Sequence, residues 1–523
     1  MSIIAKNPIM PGFFPDPSIC AVGEDFYLVN STFAYFPGLP VLHSKDLVHF
    51  EQIGNVMDRE SQLPLKDTGH SRGLFASTIR YHEGTFYVIC TNVSYGGNYI
   101  VTATNPEGPW SEPHYLEGAD GIDPSLFFDT DGTCYYIGTH PNPDGPKYNG
   151  DWYIWIQQVD LENMKLVGPK KDVWNGAMKN VIWPEGPHLY YKDGYYYIMH
   201  AEGGTGPDHA VSVCRSKDIW GPYENYKKNP VLTHRHLGKA YPIQYVGHAD
   251  IVETVNGEWY MVMLAVRPLE GYTTMGRETF LAKVTWEDGW PVVNPGVGML
   301  TDEVEIDLPE WDPVKEPDSY TNRTGRFTAV PGSSRTYDFT KMEKLGHEFL
   351  LLRNPVTDMY KLDEKGIGLK LAAPNMKDNI SSSYVAIRQQ HHNFKVSATV
   401  CAAGLTGTES AGLAYMQSNE YNLRLEVNKD GVQAILCQNG RDEIIGSVAV
   451  SGEEQRLAII IEGLEAKLAV NGEAIATACV SALSTEVAGG FVGCTAGILA
   501  SGNGNDYGNY VYFRDLSYEA KVN

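Results

Sequence analysis

The sequence is poor in the features that mark a disulfide scaffold, a thiolate metal site or a membrane anchor. Its 523 residues include eight cysteines, Cys20, Cys90, Cys134, Cys214, Cys401, Cys437, Cys479 and Cys494, and no CxxC pair. Several lie in apolar runs, as Cys90 does in FYVICTN. They read as reduced, buried thiols. No apolar run reaches the roughly 18 residues that a spanning helix needs. The N-terminal MSIIAKNPIMPGF has no basic region followed by a long apolar stretch. These absences lead us to expect a cytoplasmic chain with no signal peptide and no transmembrane helix.

Positive charge is also scarce. Lys and Arg total 41 against 64 Asp and Glu, a formal charge of -23. Nucleic acid and anionic membranes require a basic footprint, so neither is expected as a partner. HExxH spacing is missing, which disfavours a zinc enzyme, and no glycine-rich phosphate loop is visible. What remains suits a neutral ligand. Hydrophobic residues make up 43% and charged residues 20%, as in ordinary globular proteins. The length allows two or three domains. The 32 Tyr and 10 Trp fit strand packing first and sugar stacking second.

An internal repeat organises the first 300 or so residues. FASTIRYHEGTFYVI (Phe75 to Ile89), DPSLFFDTDGTCYYI (Asp123 to Ile137), EGPHLYYKDGYYYIM (Glu185 to Met199) and HADIVETVNGEWYMV (His248 to Val262) align without gaps. Each places Gly nine residues after its first position and Tyr three residues later, as in Gly84 and Tyr87 or Gly194 and Tyr197. DPSICAVGEDFYLV (Asp16 to Val29) is a looser fifth copy. Each copy reads as a hairpin turning at EG, DG or NG. Starts about 48 to 63 residues apart allow one four-stranded blade per copy. A sandwich with recurrent NG hairpins is the bland rival, which the shared register disfavours.

The predicted fold is therefore all-β: a five-bladed β-propeller over residues 1–305, an acidic, Pro-rich linker or strap over 306–335, and a concanavalin-like antiparallel β-sandwich over 336–523. Within that sandwich Asp338 and Asp515 read as surface acids rather than a shared calcium site.

In a propeller the innermost strands converge on one axis. The first residues of the repeats, Asp16, Phe75, Asp123, Glu185 and His248, should meet there. An Asp before Pro is most often a turn residue, and an isolated His is most often structural. Three acids at equivalent positions outweigh those readings. Clustered carboxylates raise the pKa of at least one member, and glycoside hydrolysis needs one neutral acid beside one ionised carboxylate.

The segments NPIMPGFFPDPSI, NSTFAYFPGLPVLHSKDLVHF, RGLFASTIRYHEGTFY, GIDPSLFFD, PEGPHLYYKDGYYYIMHAEGGTGPDHAVSVCRS, GHADIVETVNGEWY and GRETFLAKVTWEDGWP resemble the β-xylosidases and α-L-arabinofuranosidases of glycoside hydrolase family 43. LGHEFLLLRNP resembles the opening of the sandwich appended in the β-xylosidase branch. The resemblance implies exo-acting, inverting release of terminal xylose or arabinofuranose from small oligosaccharides. It implies Asp16 as general base, Glu185 as general acid and Asp123 as the residue that tunes that acid. It assigns Arg277 to sugar hydroxyls and the carboxylates, and Phe33 to an aromatic wall. Thr205 in AEGGTG becomes a hydroxyl contact. His248 becomes an axial histidine beside which some relatives hold calcium through water. No cofactor is required for the chemistry, and self-association is implied as an option. RGLFAST departs from the family's RGLWAPT, and STFAYFPG from STFEWFPG. Both departures are expected on the sugar-binding wall, together with dual xylosidase and arabinofuranosidase activity. An endo-acting arabinanase and a non-catalytic sugar-binding propeller remain the alternatives.

Overall fold

The computed structural model describes residues 2–313, 333–378 and 380–521. Five antiparallel sheets follow one another as blades I to V. Their innermost strands are Ser18–Val22, Leu74–His82, Ile122–Phe128, Glu185–Lys192 and Gln244–Glu253. Each blade has four strands in simple up-and-down order, and blade IV gains a fifth at Leu232–Thr233. The turns that defined the repeat supply the local reason for the hairpins. Glu83 and Gly84 (φ 45° and 84°) both sit at positive φ, as do Asp193 and Gly194 (φ 50° and 80°). That pairing matches the twist of the flanking strands.

The ring closes from its two ends. Ile3–Lys6 pairs antiparallel with Glu303–Ile306, and Met10 bridges Thr279 of blade V. The first residues of the chain thereby seal the seam between blades V and I. Ile9, Phe14, Leu28, Val262, Leu281 and Ile306 fill that seam.

A buried polar ring ties the blades at the axis. Asp250 of blade V accepts from Arg80 of blade II at 2.8 Å, Ser18 of blade I at 2.7 Å and Tyr190 of blade IV at 2.6 Å. Burial alone would raise the Asp250 pKa, but the Arg80 guanidinium and these donors hold it well below the carboxylate range. A buried charge so paired and hydrogen-bonded is tolerated where an isolated one is not.

The C-terminal part is a sandwich of two eight-stranded antiparallel sheets. Val396, Leu413, Ile459, Ile498 and Phe513 pack between them in a cluster that continues into Val29, Leu74 and Val101 of blades I and II. One sheet is completed by the propeller itself: Tyr35–Phe36 pairs with Leu350–Leu352. Asp338 and Asp515 are cross-strand partners, yet each is neutralised by its own cation, Lys341 at 2.7 Å and Arg456 respectively. The expected strap over 306–335 lies mostly outside the described residues. Among the described residues no helix is long and apolar enough to cross a membrane.

Candidate active site

The innermost strands of blades II to V share one irregularity. Pairing register breaks between Leu74 and Ser77, Ile122 and Ser125, Glu185 and His188, and Gln244 and Gly247. Such bulges re-aim side chains at a rim. Asp16, Asp123 and His248 also adopt left-handed backbone (φ 50°, 54° and 49°). Asp and His tolerate that region better than most residues, though still at some cost.

All five repeat-start residues, Asp16, Phe75, Asp123, Glu185 and His248, line one cavity of about 440 Å³. Phe33, Thr205 and Arg277 line it too. All eight residues that the sequence assigned to the site therefore line the same cavity.

Asp16 is 4% exposed. It accepts from Arg277 Nη1 at 2.7 Å and Nη2 at 3.3 Å, and from the Ser31 hydroxyl at 2.6 Å. His248 Nδ1 stands 3.9 Å from its Oδ1. Burial favours the neutral acid, but Arg277, His248 and Ser31 together hold the Asp16 pKa below its usual value. Glu185 has the opposite environment. Burial, followed by the negative charges of Asp123 and Asp16, pushes its carboxyl well above the usual value, against the opposing pull of Arg277. Asp123 lies between these extremes. Burial raises it to about 6, with Asp16 adding to the rise and His248 opposing it. The Gly186 N–H donates to its Oδ2 at 3.2 Å. Three carboxylates in one cavity thus divide into one whose pKa is lowered and two whose pKa is raised.

Gly186 (φ 55°) is required where it stands. A Cβ there would lie 2.8 to 3.0 Å from ring atoms of His248. The imidazole therefore packs on the backbone beside Glu185 while reaching towards Asp16. Two polar groups of the site lack protein partners: the buried Thr205 hydroxyl and the Arg277 Nε–H. Buried groups of this kind usually find a partner, so both are free for a ligand's hydroxyls. Among the described residues no three His, Cys, Asp or Glu side chains come together as a metal-ligand set. Calcium wants six to eight oxygens, and His248 offers a nitrogen, so the site does not fit a directly coordinated ion.

Several residues escaped the sequence reading. Arg72, Trp152, Trp183 and Phe491 also line the cavity. Phe491 comes from the sandwich and stacks on Phe33 at 5.9 Å (22°), edge-on to Phe75 at 5.9 Å. Its N–H donates to Ser71 Oγ at 3.0 Å, and its carbonyl accepts from Arg277 Nη2 at 3.3 Å. The same sandwich loop holds the propeller segment that carries Arg277. Glu486 accepts from the Thr273 N–H at 2.6 Å and its hydroxyl at 2.9 Å. Cys494 N–H donates to the Thr274 carbonyl at 2.7 Å.

Of the two expected changes to the wall, one falls there. Phe75 faces the cavity, whereas Ala34 and Tyr35 are fully buried and do not line it. Tyr35 pairs with Leu352 and bonds Thr495 at 3.1 Å, so the AYF variation belongs to the joint between propeller and sandwich.

Residues 5–291 match the glycosyl hydrolases family 43, and residues 336–519 match the beta xylosidase C-terminal concanavalin A-like domain. The chain belongs to glycosyl hydrolase family 43. It is 52% identical to a xylosidase/arabinosidase of Butyrivibrio fibrisolvens across 99% of both chains. It is 38% identical to a non-reducing end alpha-L-arabinofuranosidase of Bacteroides ovatus, covering 95% of this chain and 92% of that one. Its fold superposes on a xylan beta-1,4-xylosidase of Bacillus halodurans with a TM-score of 0.88 at 33% identity, covering 99% of this chain and all of that one. This family 43 glycosidase therefore has the five-bladed propeller and concanavalin-like sandwich expected from its sequence.

Proposed function

We propose that this family 43 enzyme is an exo-acting, inverting glycosidase that removes terminal xylose and arabinofuranose units from xylo-oligosaccharides and arabinoxylan fragments. One arrangement carries the reading: in a single cavity Arg277 grips Asp16 at 2.7 Å and draws its pKa down, while burial beside Asp123 and Asp16 pushes the Glu185 pKa up. In the proposed reaction Asp16 takes a proton from water as that water attacks the anomeric carbon. Glu185 delivers its proton to the departing glycosidic oxygen as the bond breaks. Attack and departure occur on opposite faces, so configuration inverts.

Asp123 keeps the acid's pKa high, with Gly186 N–H orienting its carboxylate. Arg277 binds sugar hydroxyls while holding Asp16 ionised. Thr205 and the Arg277 Nε–H accept and donate to the ring hydroxyls. Phe33, Phe75 and Phe491 form the apolar wall. A relative named a non-reducing end alpha-L-arabinofuranosidase supports removal of a terminal sugar over the endo-acting alternative. The names of the relatives, both xylosidase and arabinofuranosidase, support dual specificity. No step passes through a metal. A calcium ion at His248 would be held through water and would act on the histidine's position alone.

The same reading carries a cytoplasmic location and self-association through the sandwich as expectations, to be checked by cell fractionation and sedimentation. The deciding experiment is steady-state kinetics on paired aryl β-xyloside and aryl α-arabinofuranoside, with and without a chelator. Turnover of both, unaffected by the chelator, supports the proposal. Binding without turnover of either refutes it and leaves the non-catalytic reading.

A further inference from the structure

A second cavity of about 360 Å³ is lined by sequence neighbours of Trp152 and Trp183, which themselves line the active site. Two loops on the catalytic face build both spaces. Residues 142–151 connect the second and third strands of blade III, and residues 175–184 lead from blade III to Glu185 of blade IV. Trp152 faces the active site while its neighbours Asp151 and Tyr153 face the second cavity. The loops are locked together. Trp183 N–H donates to the Gly150 carbonyl at 2.8 Å, and Tyr148 OH to the Val181 carbonyl at 3.1 Å. Gly150 (φ 81°) permits this approach, because a Cβ there would lie 2.7 Å from Ile182 Cβ. The cavity is thus set by packing.

Its chemistry differs from that of the active site. Lys147 and Lys179 line it, and neither forms an ion pair among the described residues. Asp151 is its one acid; its carboxylate accepts from Asn142 Nδ2 and the Lys147 N–H, each at 2.9 Å, and also feels the Lys147 charge. Asn175 and the Tyr153 hydroxyl add neutral hydrogen-bonding groups. In a chain of net charge -23, two ammonium groups facing one carboxylate leave this cavity with an excess of positive charge, which suits an anion. The amide and phenol beside them suit hydroxyls. Asp151 and Tyr153 flank Trp152 of the catalytic cavity in sequence, a neighbourhood that suits part of the same substrate.

We infer that this cavity binds a hexuronate carried as a side group on the pentose chain, next to the unit being removed. The inference rests on the hydrolytic reading above and extends it to acidic substrates. The test compares xylotriose with xylotriose bearing one 4-O-methylglucuronate on the penultimate unit, using the wild type, Lys147→Ala/Lys179→Ala and Lys147→Arg/Lys179→Arg. The wild type should show the lower KM on the acidic substrate. The double Ala variant should raise that KM roughly ten-fold, as expected for two charge-assisted contacts. Its kcat, and its activity on neutral xylotriose and the aryl xyloside, should stay within about two-fold. The double Arg variant should restore the preference. Equal KM for both substrates in the wild type, or equal losses on both in the Ala variant, would overturn the inference. Calorimetric binding of the acidic oligosaccharide to wild type and Ala variant tests the cavity without turnover. A failure of hydrolysis itself is thereby told apart from a failure of the cavity.

Discussion

Replacing Glu185 by Gln removes a proton and changes little else. Burial and the charges of Asp123 and Asp16 disfavour a further anion, which pushes the Glu185 pKa well above its usual value. General acid catalysis is worth about 10²- to 10⁴-fold. Its value depends on the leaving group: an alkoxide needs protonation and an acidic phenol hardly does. For Glu185→Gln, kcat on xylobiose should fall about 10³-fold, while kcat on a dinitrophenyl xyloside should fall less than about ten-fold. The pH profile adds a second readout. Activity needs Asp16 ionised and Glu185 protonated, so the acid limb belongs to Asp16, below its usual 3.8, and the alkaline limb to Glu185, well above 4.5. The variant should lose the alkaline limb and keep the acid limb. Both are read by initial rates on the two substrates across pH. Equal losses on both, or an alkaline limb that persists, would refute the assignment of the acid.

Asp16→Ala should abolish turnover of aryl xyloside and aryl arabinofuranoside alike, by at least about 10³-fold; activity on either would remove Asp16 as the base. Arg277→Ala takes away the cation that holds Asp16 ionised, so the acid limb should move to higher pH by at least about one unit. An unmoved limb would mean that Ser31 and His248 suffice. Phe491→Ala opens the wall contributed by the sandwich, on a side chain 38% exposed, so folding should be unaffected while KM rises several-fold for both substrates. Unchanged KM would leave the sandwich without a part in sugar binding.

The propeller and the carboxylate cluster were legible because a repeat converts sequence position into spatial position. Asp16, Phe75, Asp123, Glu185 and His248 occupy equivalent starts, and the equivalence alone predicts their meeting at the axis. Arg72 and Trp183 lie in loops before repeat strands, and Trp152 opens the third strand of blade III, outside the hairpin whose register defines the repeat. Trp183 had one signal, its place two residues before Glu185 in WPEGP. Phe491 had none, since the docking of a sandwich loop on the propeller depends on contacts such as Glu486 with Thr273 that no periodicity encodes. Tyr35 shows the converse error. The motif around it resembles a sugar wall, yet strand pairing with Leu352 draws it into the sandwich.

The division of labour between Asp16 and Glu185 is tested most directly by the anomeric configuration of the first product. Proton NMR spectra recorded within the first turnovers of a β-xyloside should show α-xylopyranose, with the β anomer appearing only as mutarotation proceeds. If β-xylopyranose forms first, a carboxylate attacks the sugar itself, and the assignment of Asp16 as a base acting through water is wrong.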